Sequence, residues 1–159
     1  MKEIKEPNPL NSVKAFHETF DAPVLESPQI PAEDRCKLRV ALLQEELNEL
    51  KTAIEENDLV EVADALADLQ YVLSGAILEF GLGEKFKALF EEVQRSNMSK
   101  ACESLEIAEA TAKKYKAKDG TESTIEKKGD VYIVYRKGDH KVLKSVNYSP
   151  ADLAAILKS

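Results

Sequence analysis

"LLQEELNEL" (42–50) and, nine residues later, "LVEVADALADLQYVLSGAIL" (59–78) set carboxylates among residues that belong inside a protein. Leu43, Leu47, Leu50 and Ile54 recur at i, i+4, i+7 and i+11, the stripe of an amphipathic helix. The pattern predicts a helix opened by Pro31 and Asp34 and running to about Glu56. At 100° per residue, Glu46 lies about 60° from the centre of that stripe and Glu49 about 120°, with Glu45 flanking. Asn57 or Asp58 caps the next helix, about 59–80, which is apolar nearly all round and is expected to be central and buried. Its Glu61, Asp64, Asp68 and Tyr71 fall within about 80° of one another and form one polar stripe.

Two helices joined by so short a connection pack antiparallel, which lets their acidic stripes face each other. Carboxylates gathered in a partly dry groove repel one another and are costly to desolvate. Arg39 and Lys51 are too few to offset that charge. A hard divalent cation would neutralise it. All-oxygen ligation by Glu45, Glu46, Glu49, Glu61, Asp64 and Asp68, without His or Cys, points to Mg²⁺ or Mn²⁺ rather than zinc. A merely solvated acidic face fits Glu45 taken singly. It does not fit the second helix, which has too few other polar residues for that stripe to be its wet side.

The rest of the chain frames this pair. "NSVKAFHETF" (11–20) predicts a short helix capped by Asn11 or Ser12, and the three prolines of 21–31 predict an ordered loop. "EKFKALFEEVQRSNMSK" (84–100) predicts a further helix with Phe86, Leu89, Phe90 and Val93 as its buried stripe. After Lys100 come a short helix, a β-hairpin over about 124–146 turning at Gly138-Asp139, and a final helix over 150–158 with Ser149 as cap and Pro150 at N1. The expectation is a single domain over 1–159, an all-α helical bundle with a small appended β-hairpin near the C-terminus. Its catalytic core is 12–100 and its C-terminal extension 101–159.

Composition bounds the function. Hydrophobic residues are 43% and charged residues 32%, and the net charge of −7 argues against a nucleic-acid partner. No apolar run approaches a membrane span, and the N-terminus lacks the apolar core of a signal peptide, so the expected location is cytoplasmic and no membrane partner is expected. Cys36 and Cys102 stand in no metal spacing and read as free thiols. A phosphate loop is absent, "AKDGTES" has too few acids for a calcium loop, and neither His lies in a Glu-x-x-His di-iron pattern.

Three motifs in order carry a family resemblance: Glu45-Glu46-x-x-Glu49, "ADALADLQYV", and "EEVQRSNMSK" (91–100). Together they resemble the MazG-like all-α NTP pyrophosphatases, a superfamily that includes dimeric dUTPases, dCTP pyrophosphatases and phosphoribosyl-ATP pyrophosphohydrolase. The resemblance covers about 12–100, and "VLKSVNYSPADL" is a weaker echo of the family's tail. It implies Mg-dependent hydrolysis between the α- and β-phosphates of a (deoxy)nucleoside triphosphate, giving a monophosphate and pyrophosphate. It also implies a homodimer or dimer-based tetramer, with a small-molecule nucleotide as the substrate and removal of non-standard or excess dNTPs as the role. Glu45, Glu46 and Glu49 match the first motif and Asp68 the Asp of the second. Ala65 stands where the family has Glu, with Asp64 and Glu61 nearby.

In that reading Glu46 orients or deprotonates the attacking water, with Glu45 as the other candidate. Arg95, Asn97 and Lys100 take the phosphates. Phe16, His17 and Tyr71, with Phe20, are candidates for the base, although a helical Phe16/Phe20 pair is commonly core and a lone His17 commonly surface. Two further readings stay open: a catalytically weak metal- and nucleotide-binding regulatory module of the same fold, which Ala65 favours, and a helical interaction protein with an acidic face.

Overall fold

The computed structural model describes residues 2–159. The chain divides into two compact units, one up to Phe86 and one from Lys87 onward. The first holds α1 (Pro9–Thr19), α2 (Glu33–Glu55) and α3 (Leu59–Glu79), with α1 and α2 both packed on α3. The second holds nearly all of α4 (Phe86–Met98), then α5 (Leu105–Asp119), β1 (Ser123–Lys128), β2 (Val131–Arg136) and α6 (Leu153–Lys158). The predicted mostly helical architecture with a small hairpin is what is found.

The helix boundaries follow local chemistry. Asp58 caps α3, its Oδ1 accepting the N–H groups of Val60 at 2.9 Å and Glu61 at 3.1 Å. The first helix begins earlier than Asn11 or Ser12, at Pro9, whose fixed φ and missing N–H suit the first helical position. The proline-rich loop is ordered because it is tied to the end of α3. Leu25 N–H donates to the Leu78 carbonyl at 3.0 Å and Gln29 N–H to that of Phe80 at 3.1 Å, satisfying acceptors that a helix end leaves open.

Several expectations are corrected. The helix α3 is buried only toward its C-terminal half, at Ser74, Gly75, Ile77, Leu78 and Glu79, and at Ala65; its apolar start is exposed because α1 and α2 cover only part of it. In α4, Leu89 is buried and Phe86 half-buried, whereas Phe90 and Val93 face outward in a single copy of the chain. The hairpin turns at Gly129-Asp130 rather than at Gly138-Asp139. Lys128 pairs with Val131 across a two-residue loop in which Gly129 takes φ +58°, a conformation costly for other residues. The Gly138-Asp139 turn exists, but it leads only into a single bridge between Tyr135 and Val142. The final helix starts at Leu153 rather than Pro150 and is capped not by Ser149 but by Asp152, whose Oδ1 accepts Ala155 N–H at 3.1 Å; Ser149 Oγ and the Pro150 carbonyl accept from Arg95 instead.

In the second unit the core is Cys102, Ala108, Val134 and Leu143, where α5 packs on the hairpin. Cys36 and Cys102 are both free thiols. Among the described residues, no single helix is long and apolar enough to cross a membrane.

Candidate active site

Antiparallel packing of α2 on α3 sets the early residues of one against the late residues of the other. Arg35 and Arg39 of α2 bond Glu79 of α3, and farther along α2 the carboxylates come within electrostatic reach of those of α3. Glu46 is the centre of this second set. It is half-buried, and its Oε2 is sealed from solvent with no hydrogen-bond partner. Burial first, then the charges of Glu49, Asp68, Glu45 and Asp64, pushes the Glu46 carboxyl above the usual range. Asp68 is half-buried, and Glu45, Glu49 and Asp64 are exposed. Glu61 is not among the charges that bear on Glu46; it is exposed in the first turn of α3, where the helix dipole favours an acid.

An orphaned carboxylate oxygen in the field of four other carboxylates is a donor set suited to a hard cation. Among the described residues, no three His, Cys, Asp or Glu side chains are gathered closely enough to hold a metal ion between them. Ala65, in the position where the family motif has Glu, is buried.

Glu46 gives the metal-free protein a pH dependence of definite sign. Below the unfolded pKa both states are protonated and Glu46 costs nothing. As pH rises through the raised folded value, the folded state must hold a charge it disfavours, and stability is lost. The melting temperature of the chelated protein, taken relative to Glu46→Gln, is therefore expected to be lower at neutral pH than near the ordinary glutamate value of about 4. A difference that stays flat over that range would show that Glu46 is not desolvated.

One turn beyond Asp68, Tyr71 leads into an aromatic wall. Its ring meets that of Phe16 edge-on at 5.7 Å, and Phe16 packs on Phe20 at 4.5 Å. All three are exposed, so the Phe16/Phe20 pair is not core. His17, by contrast, is not a surface residue: it is 3% exposed. Its Nδ1 contacts the Pro23 carbonyl at 2.8 Å and its Nε2 lies 3.4 Å from Arg39 Nη2. A carbonyl only accepts and a guanidinium only donates, which makes Nδ1 the protonated nitrogen and Nε2 the acceptor.

Behind His17 lies a network that sequence patterning does not reveal. Glu79 is fully buried and forms ion pairs with both Arg35 and Arg39. Burial raises its pKa, but the hydrogen bonds and charges of the two arginines outweigh that and hold it below the ordinary value. Gly75 leaves room for the arrangement, since a Cβ there would come within 2.6 Å of Arg39 Nη1. The only sequence signal is the pair of arginines one turn apart on the face that Leu43 continues.

Arg95, Asn97 and Lys100 lie in the second unit, at and just beyond the end of α4. Arg95 pairs with Glu92 at 2.8 Å and donates to Ser149 Oγ at 2.9 Å and the Pro150 carbonyl at 3.1 Å. Lys100 Nζ donates to Asn97 Oδ1 at 2.7 Å.

A model of the phosphoribosyl-ATP pyrophosphohydrolase family matches residues 13–97, which span the first two motifs and the third as far as Asn97. The chain is also similar to the uncharacterized protein L479 of Acanthamoeba polyphaga mimivirus, with 36% identity over 93 residues that cover 58% of this chain and 33% of the relative. It thus spans about a third of the length of the curated relative it matches.

Proposed function

We propose that this chain, which belongs to the phosphoribosyl-ATP pyrophosphohydrolase family and through it to the MazG-like all-α NTP pyrophosphatase superfamily, is a pyrophosphohydrolase that splits a (deoxy)nucleoside triphosphate between its α- and β-phosphates. The observation that carries this is the orphaned Glu46 oxygen amid the charges of Glu45, Glu49, Asp64 and Asp68. Enzymes of this type generally use divalent metals. Glu46, Glu49, Asp64 and Asp68, which are not drawn together on one point in the metal-free chain, would close on one here, with Glu45 and Glu61 at the margin, and Mg²⁺ or Mn²⁺ suits their oxygens. When bound, such a cation screens the phosphate charge and acidifies water.

The chain's own residues do the rest. Glu46 orients the water and takes its proton, with Glu45 as the alternative. The water oxygen bonds to the α-phosphorus, the bond to the bridging oxygen breaks, and pyrophosphate leaves. Asn97 and Lys100 are assigned to the phosphates on the family motif, and Arg95, engaged by Glu92, Ser149 and Pro150, holds their segment in place. Phe16 and Tyr71 offer ring faces to a base, and His17 steadies that wall from behind.

The apolar positions left outward support a homodimer, or a tetramer built from it. Val40, Leu47 and Ile54 follow one another at seven-residue spacing along α2 and are 68%, 50% and 61% exposed. Leu59, Leu66 and Leu73 do the same on α3. Stripes of that length and spacing are what a second copy buries in a bundle. A clean monomer by light scattering at micromolar concentration would refute it.

The test of the activity is pyrophosphate release with Mg²⁺ across canonical and modified nucleotides. The expected result is monophosphate and pyrophosphate from at least one of them. Metal-dependent thermal stabilisation without release from any nucleotide would favour the regulatory-module reading, which the buried Ala65 supports.

A further inference from the structure

The segment "RSNMSK" (95–100) is clasped by the tail that follows the second turn. Buried Ser96 donates its hydroxyl to the Tyr148 hydroxyl at 3.0 Å, and Ser149 N–H donates to Ser99 Oγ at 2.9 Å. Arg95 is spent on the same clasp, through Glu92, Ser149 and Pro150. Glu92 in turn accepts Asp152 N–H at 2.9 Å, and the Arg95 hydrogen bond leads in holding its carboxyl down at about 2.

Two lysines beside this clasp are differently placed. Among the described residues, neither Lys100 nor Lys144 has a carboxylate within ion-pair distance. Lys144 Nζ stands 4.5 Å from the centroid of the Tyr148 ring, a contact that positions an ammonium without neutralising it. The Tyr148 hydroxyl accepts from Ser96 and keeps its own proton to donate. The Ser96 hydrogen bond first, then the charges of Lys144, Lys100 and Arg95, lowers the Tyr148 pKa.

We propose that Lys144 and Tyr148 of the tail, together with Lys100, form a binding site for a phosphate-type anion: pyrophosphate, or the polyphosphate arm of a nucleotide. Two ammonium groups without a carboxylate partner, one of them against the Tyr148 ring and the other one turn from the serine that bonds its hydroxyl, together with a phenol proton, match the several charged oxygens of such a ligand. The inference rests on the reading that Lys100 meets substrate phosphates. It adds two residues to that role and makes Arg95 a positioning residue that holds the tail in place.

Calorimetric titration of inorganic pyrophosphate into the full chain in chelating buffer tests the site apart from catalysis. Lys144→Met is expected to weaken binding about 10-fold or more, the worth of a hydrogen bond to a charged group. Tyr148→Phe should weaken it less, and Lys141→Met, an exposed lysine of the same tail, should leave it unchanged. Melting curves of the three variants should match wild type closely enough to exclude unfolding. Pyrophosphate binding that depends on Lys144 in a protein that hydrolyses no nucleotide supports the site and refutes the hydrolase. Wild-type affinity in Lys144→Met, or no binding to the wild type at millimolar pyrophosphate, overturns the site whatever the hydrolysis assay shows.

Discussion

Asp68→Asn is expected to abolish turnover while leaving the metal-free protein as stable as before, or more stable. Asp68 is half-buried, and among the described residues no backbone N–H and no basic side chain donates to it. Its charge is instead one of those that push the Glu46 carboxyl up. Asparagine removes the charge at nearly constant shape, so repulsion inside the groove falls. The same change takes away an anionic ligand and weakens metal binding, and a loss of at least about 100-fold in turnover is the scale set by losing one well-placed charge-stabilising group. Melting curves with and without Mg²⁺, beside a pyrophosphate assay, measure both effects. A variant that melts lower without metal yet still turns over nucleotides near the wild-type rate would show that the groove is not the active site.

Glu79→Ala is expected to have the opposite signature, a large loss of stability unrelated to metal. Glu79 is fully buried and is the shared partner of Arg35 and Arg39, and Arg39 is itself buried with its Nε unpartnered. Removing the carboxylate strands a buried guanidinium, at a cost of about 3–5 kcal/mol. Because the folded pKa of Glu79 is depressed, its contribution is present above the ordinary glutamate pKa and is lost as pH falls through the folded value. The wild type and Glu79→Ala should therefore differ widely in urea midpoint at neutral pH and converge in acid. A loss below about 1 kcal/mol at neutral pH would mean that water or side-chain rearrangement rescues the arginines. Arg35→Ala should cost less, because Arg35 is partly exposed and Arg39 still neutralises Glu79.

The sequence alone determined the elements whose information is local. The 100° step between residues placed Asp64, Asp68 and Tyr71 on one stripe of α3, and the short link at Asp58 required α2 and α3 to run antiparallel. The paired acidic stripes followed from spacing, and the residues of the three motifs carried the family resemblance. What the tertiary structure decided depends on partners distant in the chain. Glu79 in "AILEFG" reads as an ordinary helix-end acid, and only packing brings it to arginines 40 and 44 residues away. The same packing buries His17 against Arg39, singles out Glu46 from its neighbours by closing one of its oxygens off from water, and leaves Glu61 outside the set. Periodicity gives each side chain a direction on its own helix. Register and depth between helices come from the sum of many contacts, and these decided which carboxylate lost its water and which glycine let an arginine pass.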